Sequence, residues 1–195
     1  MESISCFLEK RLRLRVNREK SAVDRPWRRD FLGYTMTWHR QPRLKVSPDS
    51  IQRIRGKIRE RMGKARGCSL TKVIGELVPL LRGWINYFRL SSVKIALEQL
   101  DEWIRRRLRC VIWQHWKKPL IRAKKLIQRG IERERAYISA YNGRGAWWNS
   151  GASHMHSAFP ANWFTQQGLI SLLSQHHRFQ NSSRTAVCRP ARTVV

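Results

Sequence analysis

Two hydrophobic periods divide the chain. In the first 47 residues apolar positions recur every second residue. Leu12-Arg13-Leu14-Arg15-Val16 alternates apolar and basic, the signature of a strand with one buried face. Asn17 to Arg29 is polar and contains Pro26, which predicts a loop. A second alternation places Leu32, Tyr34, Met36 and Trp38 on one face. His39-Arg40-Gln41-Pro42 then reads as a turn, and Leu44-Lys45-Val46 as the returning strand. Residues 3–11 ahead of them fit the end of a helix. So small a sheet fragment cannot be buried on both sides, so a complementing segment outside it is expected.

From Ser47 the period lengthens. Ser47-Pro48-Asp49 is a helix start, with Ser as N-cap, Pro at the first helical position and Asp favoured by the helix dipole. Ile51, Ile54, Ile58 and Met62 form one stripe, ended by Gly63 and Gly67. A second helix from Ser69 turns Val73, Leu77, Leu81, Trp84 and Phe88 inward, with a kink expected at Pro79. A third, after Ser91-Ser92, carries Leu97, Leu100, Ile104, Leu108 and Val111 and ends before Pro119. Helical pattern resumes from Ile121 to Tyr141 with a break near Gly130, and Asn142-Gly143 marks a turn. A further helix is predicted over 161–174, and the last dozen residues read as irregular. The expected fold is mainly α, a three-helix bundle with a small N-terminal antiparallel β element and a basic helical extension. The corresponding divisions are 1–47, 48–119 and 120–195.

Charge changes the picture. The 195 residues hold 40 Lys and Arg against 13 Asp and Glu, a formal net charge of +27. A surplus of this size repels itself and calls for a polyanion. Disorder is the simplest alternative, yet 42% of residues are hydrophobic and nine are Trp, enough for real cores. No apolar run approaches the roughly 20 residues needed to span a bilayer, and Met1 to Phe7 lacks the charge of a secretory leader. Cys6, Cys68, Cys110 and Cys188 have no paired spacing, which fits a reducing compartment.

Candidate binding residues follow from that surplus. Arg53, Arg55, Lys57, Arg59, Arg61, Lys64 and Arg66 surround the first stripe, opposed only by Glu60. Arg105, Arg106, Arg107 and Arg109 lie on the third helix, followed by Lys117, Lys118, Arg122, Lys124 and Lys125. Solvated helix faces normally mix signs for i,i+4 pairing; these do not, which points to phosphate. Trp38, Trp147 and Trp148 are candidates for stacking on unpaired bases, whereas Trp84, Trp103 and Phe88 fit core spacing. Metal-dependent phosphoryl transfer needs convergent carboxylates. The four aspartates, Asp24, Asp30, Asp49 and Asp101, include no adjacent pair, and Asp101-Glu102 reads as an N-terminal helix acid. His154, His156 and His176-His177 lack a second ligand set, so no metal site is expected.

Leu14 through Val23, reading LRVNREKSAV, with Phe31-Leu32-Gly33-Tyr34 after it, resembles the end of the palm of a group II intron reverse transcriptase. Gly83-Trp84-Ile85-Asn86-Tyr87-Phe88 and Leu100 to Arg109 resemble its maturase-specific thumb domain. Gly145-Ala146-Trp147-Trp148-Asn149-Ser150-Gly151 is similar to the C-terminal extension of bacterial members. The resemblance implies that Lys20 matches a palm lysine near the incoming nucleotide and that Phe31, Leu32, Gly33 and Tyr34 match the primer-gripping hairpin. It also implies binding of structured intron RNA by the bundle, contact of the extension with target DNA, and a bacterial cytoplasmic setting. The family's polymerase signature, a Tyr with two adjacent aspartates, is not among these residues. No cofactor is therefore expected in this chain, and Mg2+ only in a complete polymerase or in the ribozyme. Three readings stay open: an RNA-binding module assisting splicing, the C-terminal piece of a polymerase completed by a separate palm, and a remnant without a role.

Overall fold

The structure is a computed structural model describing residues 2–17, 23–64 and 67–187, with side chains described as far as residue 181. It is mainly helical, with one small antiparallel sheet near the N-terminus. Helix α1 (Glu2–Lys10) ends in a turn, and a short 3-10 turn over Pro26–Arg28 lies beside the sheet. Strands β1 (Tyr34–Met36) and β2 (Leu44–Val46) pair with Tyr34 opposite Val46 and Met36 opposite Leu44. The returning strand and its turn thus stand where the pattern placed them.

The rest of the N-terminal reading is corrected. Residues 12–16 form no strand, and Leu12 and Leu14 are exposed. With no strand among the described residues to pair with, alternation alone does not hold an extended segment. Nor do Leu32, Tyr34, Met36 and Trp38 share a buried face: Trp38 is 72% exposed, while Thr35 between them is 5% exposed. Phe31 and Tyr34 bond each other's backbone at 2.8 and 2.9 Å around Leu32 and Gly33, which have φ of 51° and 76°. That two-residue reverse turn breaks the strand before it reaches Phe31.

Helices α2 (Pro48–Lys64), α3 (Leu70–Tyr87) and α4 (Ile95–His115) are the predicted three. Ser47 Oγ accepts the Ser50 N–H, and Ser69 Oγ the Lys72 N–H, so both starts carry the caps their sequences offer. Helix α3 runs through Pro79 without ending. Ile54, Ile58, Val73, Leu77, Leu81, Leu97, Leu100, Ile104 and Leu108 are buried, each contributing about 1.5–3 kcal/mol relative to exposure. On the last turns of α4 the inward positions are Ile112 and Trp113, not Val111.

Helices α5 (Pro119–Gln128) and α6 (Arg133–Ala140) flank Gly130, whose φ of 83° makes the break. Short helices α7 (Ala146–Ser150), α8 (Ser153–Ala158) and α9 (Ala161–Gln166) follow. The helix predicted over 161–174 is two. Gly168, at φ 90°, ends α9, and α10 (Leu172–Val187) continues into residues expected to be irregular. One hydrophobic cluster runs from Ile54 of α2 to Leu172 of α10, so the tail helices complete the core that the bundle begins.

Asp101 is more than a helix-end acid. It is 5% exposed, and its carboxylate accepts the Ser171 hydroxyl and the N–H groups of Leu172 and Leu173. It therefore caps α10 from the body of α4.

Candidate nucleic-acid interface

Helix geometry sorts the basic residues. On α2 the buried Ile54–Ile58 stripe separates two flanks. One carries Arg53, Lys57, Arg61 and Lys64, all exposed; the other carries Arg55 and Arg59. Lys64 pairs with Glu60 at 2.7 Å, which holds that exposed carboxyl below its usual range. Arg61 donates to the Glu76 carbonyl at 3.4 Å. Among the described residues no carboxylate pairs with Arg53 or Lys57. Both line a groove of about 650 Å³ that continues over Gly33, Trp84 and Tyr87.

The Phe31-to-Tyr34 segment forms the wall of that groove and is clasped to α3. Tyr34 Oη donates to the Tyr87 carbonyl at 2.6 Å, and Tyr87 Oη returns a bond to the Leu32 carbonyl at 2.9 Å. Partial burial pushes the Tyr34 phenol up. Ser50 Oγ donates to the Gly33 carbonyl, and the Ser92 N–H to the Leu44 carbonyl. Phe31 and Leu32 remain exposed.

On the other flank, arginines and indoles interleave. Arg55 and Arg59 lie 5.6 and 5.5 Å from the Trp103 ring centre, and Arg107 5.3 Å from it. Arg107 is also 4.9 Å from Trp147, with Arg106 on the same ring at 4.1 Å. Arg106 further donates to the Trp147 carbonyl at 3.3 Å, fixing α7 to α4. Partial burial and the charge of Arg59 both draw the Arg107 guanidinium below its ordinary range. Trp103 was expected in the core and is instead the centre of this ladder, packed against the core by one side. Its four-residue spacing to Arg107 was the available signal.

The remaining candidates divide. Lys117, Lys118, Lys124 and Lys125 are exposed between and along α4 and α5, with no acidic partner among the described residues. Arg105 is half-buried. Arg109 turns inward: it is 3% exposed, its Nε donates to the Phe159 carbonyl at 3.0 Å, and burial lowers its pKa to about 10. In this conformation its guanidinium holds α8 and α9 to α4 and is not presented to a phosphate. Lys20 and Arg66 lie outside the described residues.

Three further arginines lie over aromatic rings, in contacts the sequence pattern did not reveal. Arg122 sits over Trp113, Arg129 over Phe159 and Trp163, and Arg144 over Trp148 at 4.2 Å. The histidines lie apart in role. His154 packs against Trp113, His156 faces Arg109, and His176 donates to the Ser91 carbonyl. Among the described residues no three His, Cys, Asp or Glu side chains gather to hold a metal. No described helix is long and apolar enough to cross a membrane.

Residues 51–130, which span α2 to α5 and hold both basic flanks, match the family described as group II intron, maturase-specific domain. This segment is similar to a maturase-specific domain. Such a domain implies intron RNA binding in general. The match covers Arg53 to Arg66, the Arg105–Arg109 run and Lys117 to Lys125, so every basic candidate on the bundle lies within the matched segment. No curated protein matches the chain.

Proposed function

We propose that the chain is an RNA-binding, group II intron maturase-like module that assists folding of the intron, while the RNA performs the splicing chemistry. The observation that carries this is the set of exposed cations without acidic partners among the described residues, Arg53, Lys57, Lys117, Lys118, Lys124 and Lys125. Close-packed intron phosphates repel one another, and a rigid cationic surface lowers the cost of bringing them together. In this reading residues 48–119 form the thumb-like RNA-binding part and 120–195 an extension that touches target DNA. Any Mg2+ requirement belongs to the ribozyme. The bacterial cytoplasm is the setting.

A second reading has its own support. Leu12, Leu14, Phe31, Leu32 and Trp38 are each exposed, apolar side chains of the kind a palm sheet would cover. On that reading residues 1–47 are the end of a palm, and the chain acts as part of an RNA-directed DNA polymerase completed separately. RNA copying by the chain plus a separately supplied palm would support it.

The deciding experiment is binding of the purified chain to its neighbouring intron RNA, and to unrelated RNA of equal length, over a salt series. With 6–10 phosphate contacts, affinity falls by about 10³–10⁵ between 50 and 200 mM salt. A preference for the intron that survives at high salt establishes the module; a flat salt response overturns it.

A further inference from the structure

A second groove, of about 970 Å³, opens between the C-terminal ends of α2 and α4 and the start of α3. Its volume is in the range that small ligands occupy. Its lining joins the apolar Met62, Cys68 and Val111 to the cationic Arg59, Arg107 and Lys117, with Gln114 and His115 at an exposed edge. None of its lining residues is acidic. Two of the three cations are already held in place. Arg59 and Arg107 stack on Trp103, and Arg107 stacks on Trp147 as well. Side chains fixed before binding lose less freedom when a ligand arrives. The Arg107 Nε is also buried without a hydrogen-bond partner. Partial burial and the neighbouring Arg59 both disfavour the Arg107 charge, and an anion between them would relieve both.

Apolar walls with three cations and no acid match a ligand with a flat apolar face and a negative group one bond system away. A nucleotide has both. Within a duplex its base face is covered by neighbouring bases, so only an unpaired nucleotide can enter a groove. We propose that this groove holds one unpaired nucleotide of the bound RNA, its base against Met62, Cys68 and Val111 and its phosphate on Arg59, Arg107 and Lys117. The inference rests on the RNA-binding reading above and names the feature of the RNA that is read.

The test compares two RNA hairpins, one carrying a single bulged adenosine and one fully paired, at fixed salt with the full chain. The bulged hairpin should bind about tenfold tighter, the value of one stacked base. Alkylation at Cys68, followed by peptide mass, should slow with the bulged hairpin and not with the paired one. Gln114→Trp, at an exposed lining position, should fill the groove and abolish the preference while leaving paired-hairpin affinity unchanged; His115→Trp, also exposed on the lining, should act alike. Equal affinity for both hairpins, or a preference unchanged in both variants, overturns the groove assignment and leaves general RNA binding intact. Failure of both hairpins to bind removes the RNA-binding reading as well. Protection of Cys68 by a poly-glutamate peptide and by neither RNA overturns the nucleotide in favour of an acidic protein.

Discussion

The Asp101 carboxylate accepts the Ser171 hydroxyl at 2.7 Å, joining α4 to a residue 70 positions later in the chain. The same carboxylate receives the Leu172 and Leu173 N–H groups at 3.0 and 3.2 Å, donors that the first turn of α10 would otherwise leave open. A buried charge-assisted cap of this kind contributes more than a surface one. Asp101→Ala should lower stability by about 2–3 kcal/mol, read as an earlier urea midpoint. Asp101→Asn, which keeps one acceptor oxygen, should lose less. Equal midpoints for wild type and Asp101→Ala would show that α10 is not anchored there.

Arg109 and the Lys117–Lys118 pair separate structure from binding. Arg109→Met keeps the aliphatic stem and leaves the Phe159 carbonyl without its donor, at a cost of about 1–3 kcal/mol. Its RNA affinity, measured on folded protein, should barely change. Lys117→Ala with Lys118→Ala should do the reverse. Stability should move by less than about 0.5 kcal/mol, while the slope of log affinity against log salt falls by about 2. A change in salt slope for Arg109→Met would place its guanidinium on RNA after all.

The bundle was legible because its signals are local. The stripe through Ile54 and Ile58, the Ser47 and Ser69 caps and the Gly130 break each depend on residues within a turn or two. The N-terminal alternation misled because a strand is defined by its partner, and residues 12–16 pair with no strand among the described residues. Leu32 at positive φ gave no sequence warning either, since leucine rarely adopts that conformation. At the candidate interface, charge density was readable and direction was not. The four-residue spacing to Trp103 marks Arg107, but nothing local shows that Arg109 turns toward Phe159 or that Arg107 also meets Trp147. That distinction is made by α7 to α9, which pack against α4 from 40 to 60 residues away.

Gly33 tests whether the hairpin is docked as described. Its φ of 76° disfavours any side chain, and an added Cβ would lie 2.6 Å from Ser50 Oγ. That hydroxyl donates to the Gly33 carbonyl, so it cannot withdraw without losing the bond. Gly33→Ala should cost about 1–3 kcal/mol and detach the hairpin from α3. Faster amide exchange at Tyr34 and Ser47 should report this, as both N–H groups are bonded within that turn. Unchanged exchange at both positions would mean the turn is not held against α2.

His154 gives the fold an acid sensitivity that can be separated from the protein's high charge. Its ring is buried beside Trp113 and its Nε2 has no partner. Burial, reinforced by Arg135, lowers its pKa to about 4, against about 6.5 in an unfolded chain. Between those values the unfolded chain binds the proton and the folded one does not. Stability is therefore fully present above about pH 6.5 and declines as pH falls toward 4, by up to about 1.4 kcal/mol per pH unit. His156 and His176 are lowered in the same direction, also chiefly by burial. Carboxylate protonation begins to contribute only near the bottom of this range. Urea midpoints taken from pH 7 down to 5 should thus shift earlier in the wild type and shift less in His154→Phe, which keeps a ring against Trp113. The same decline in both proteins would assign the sensitivity to other groups.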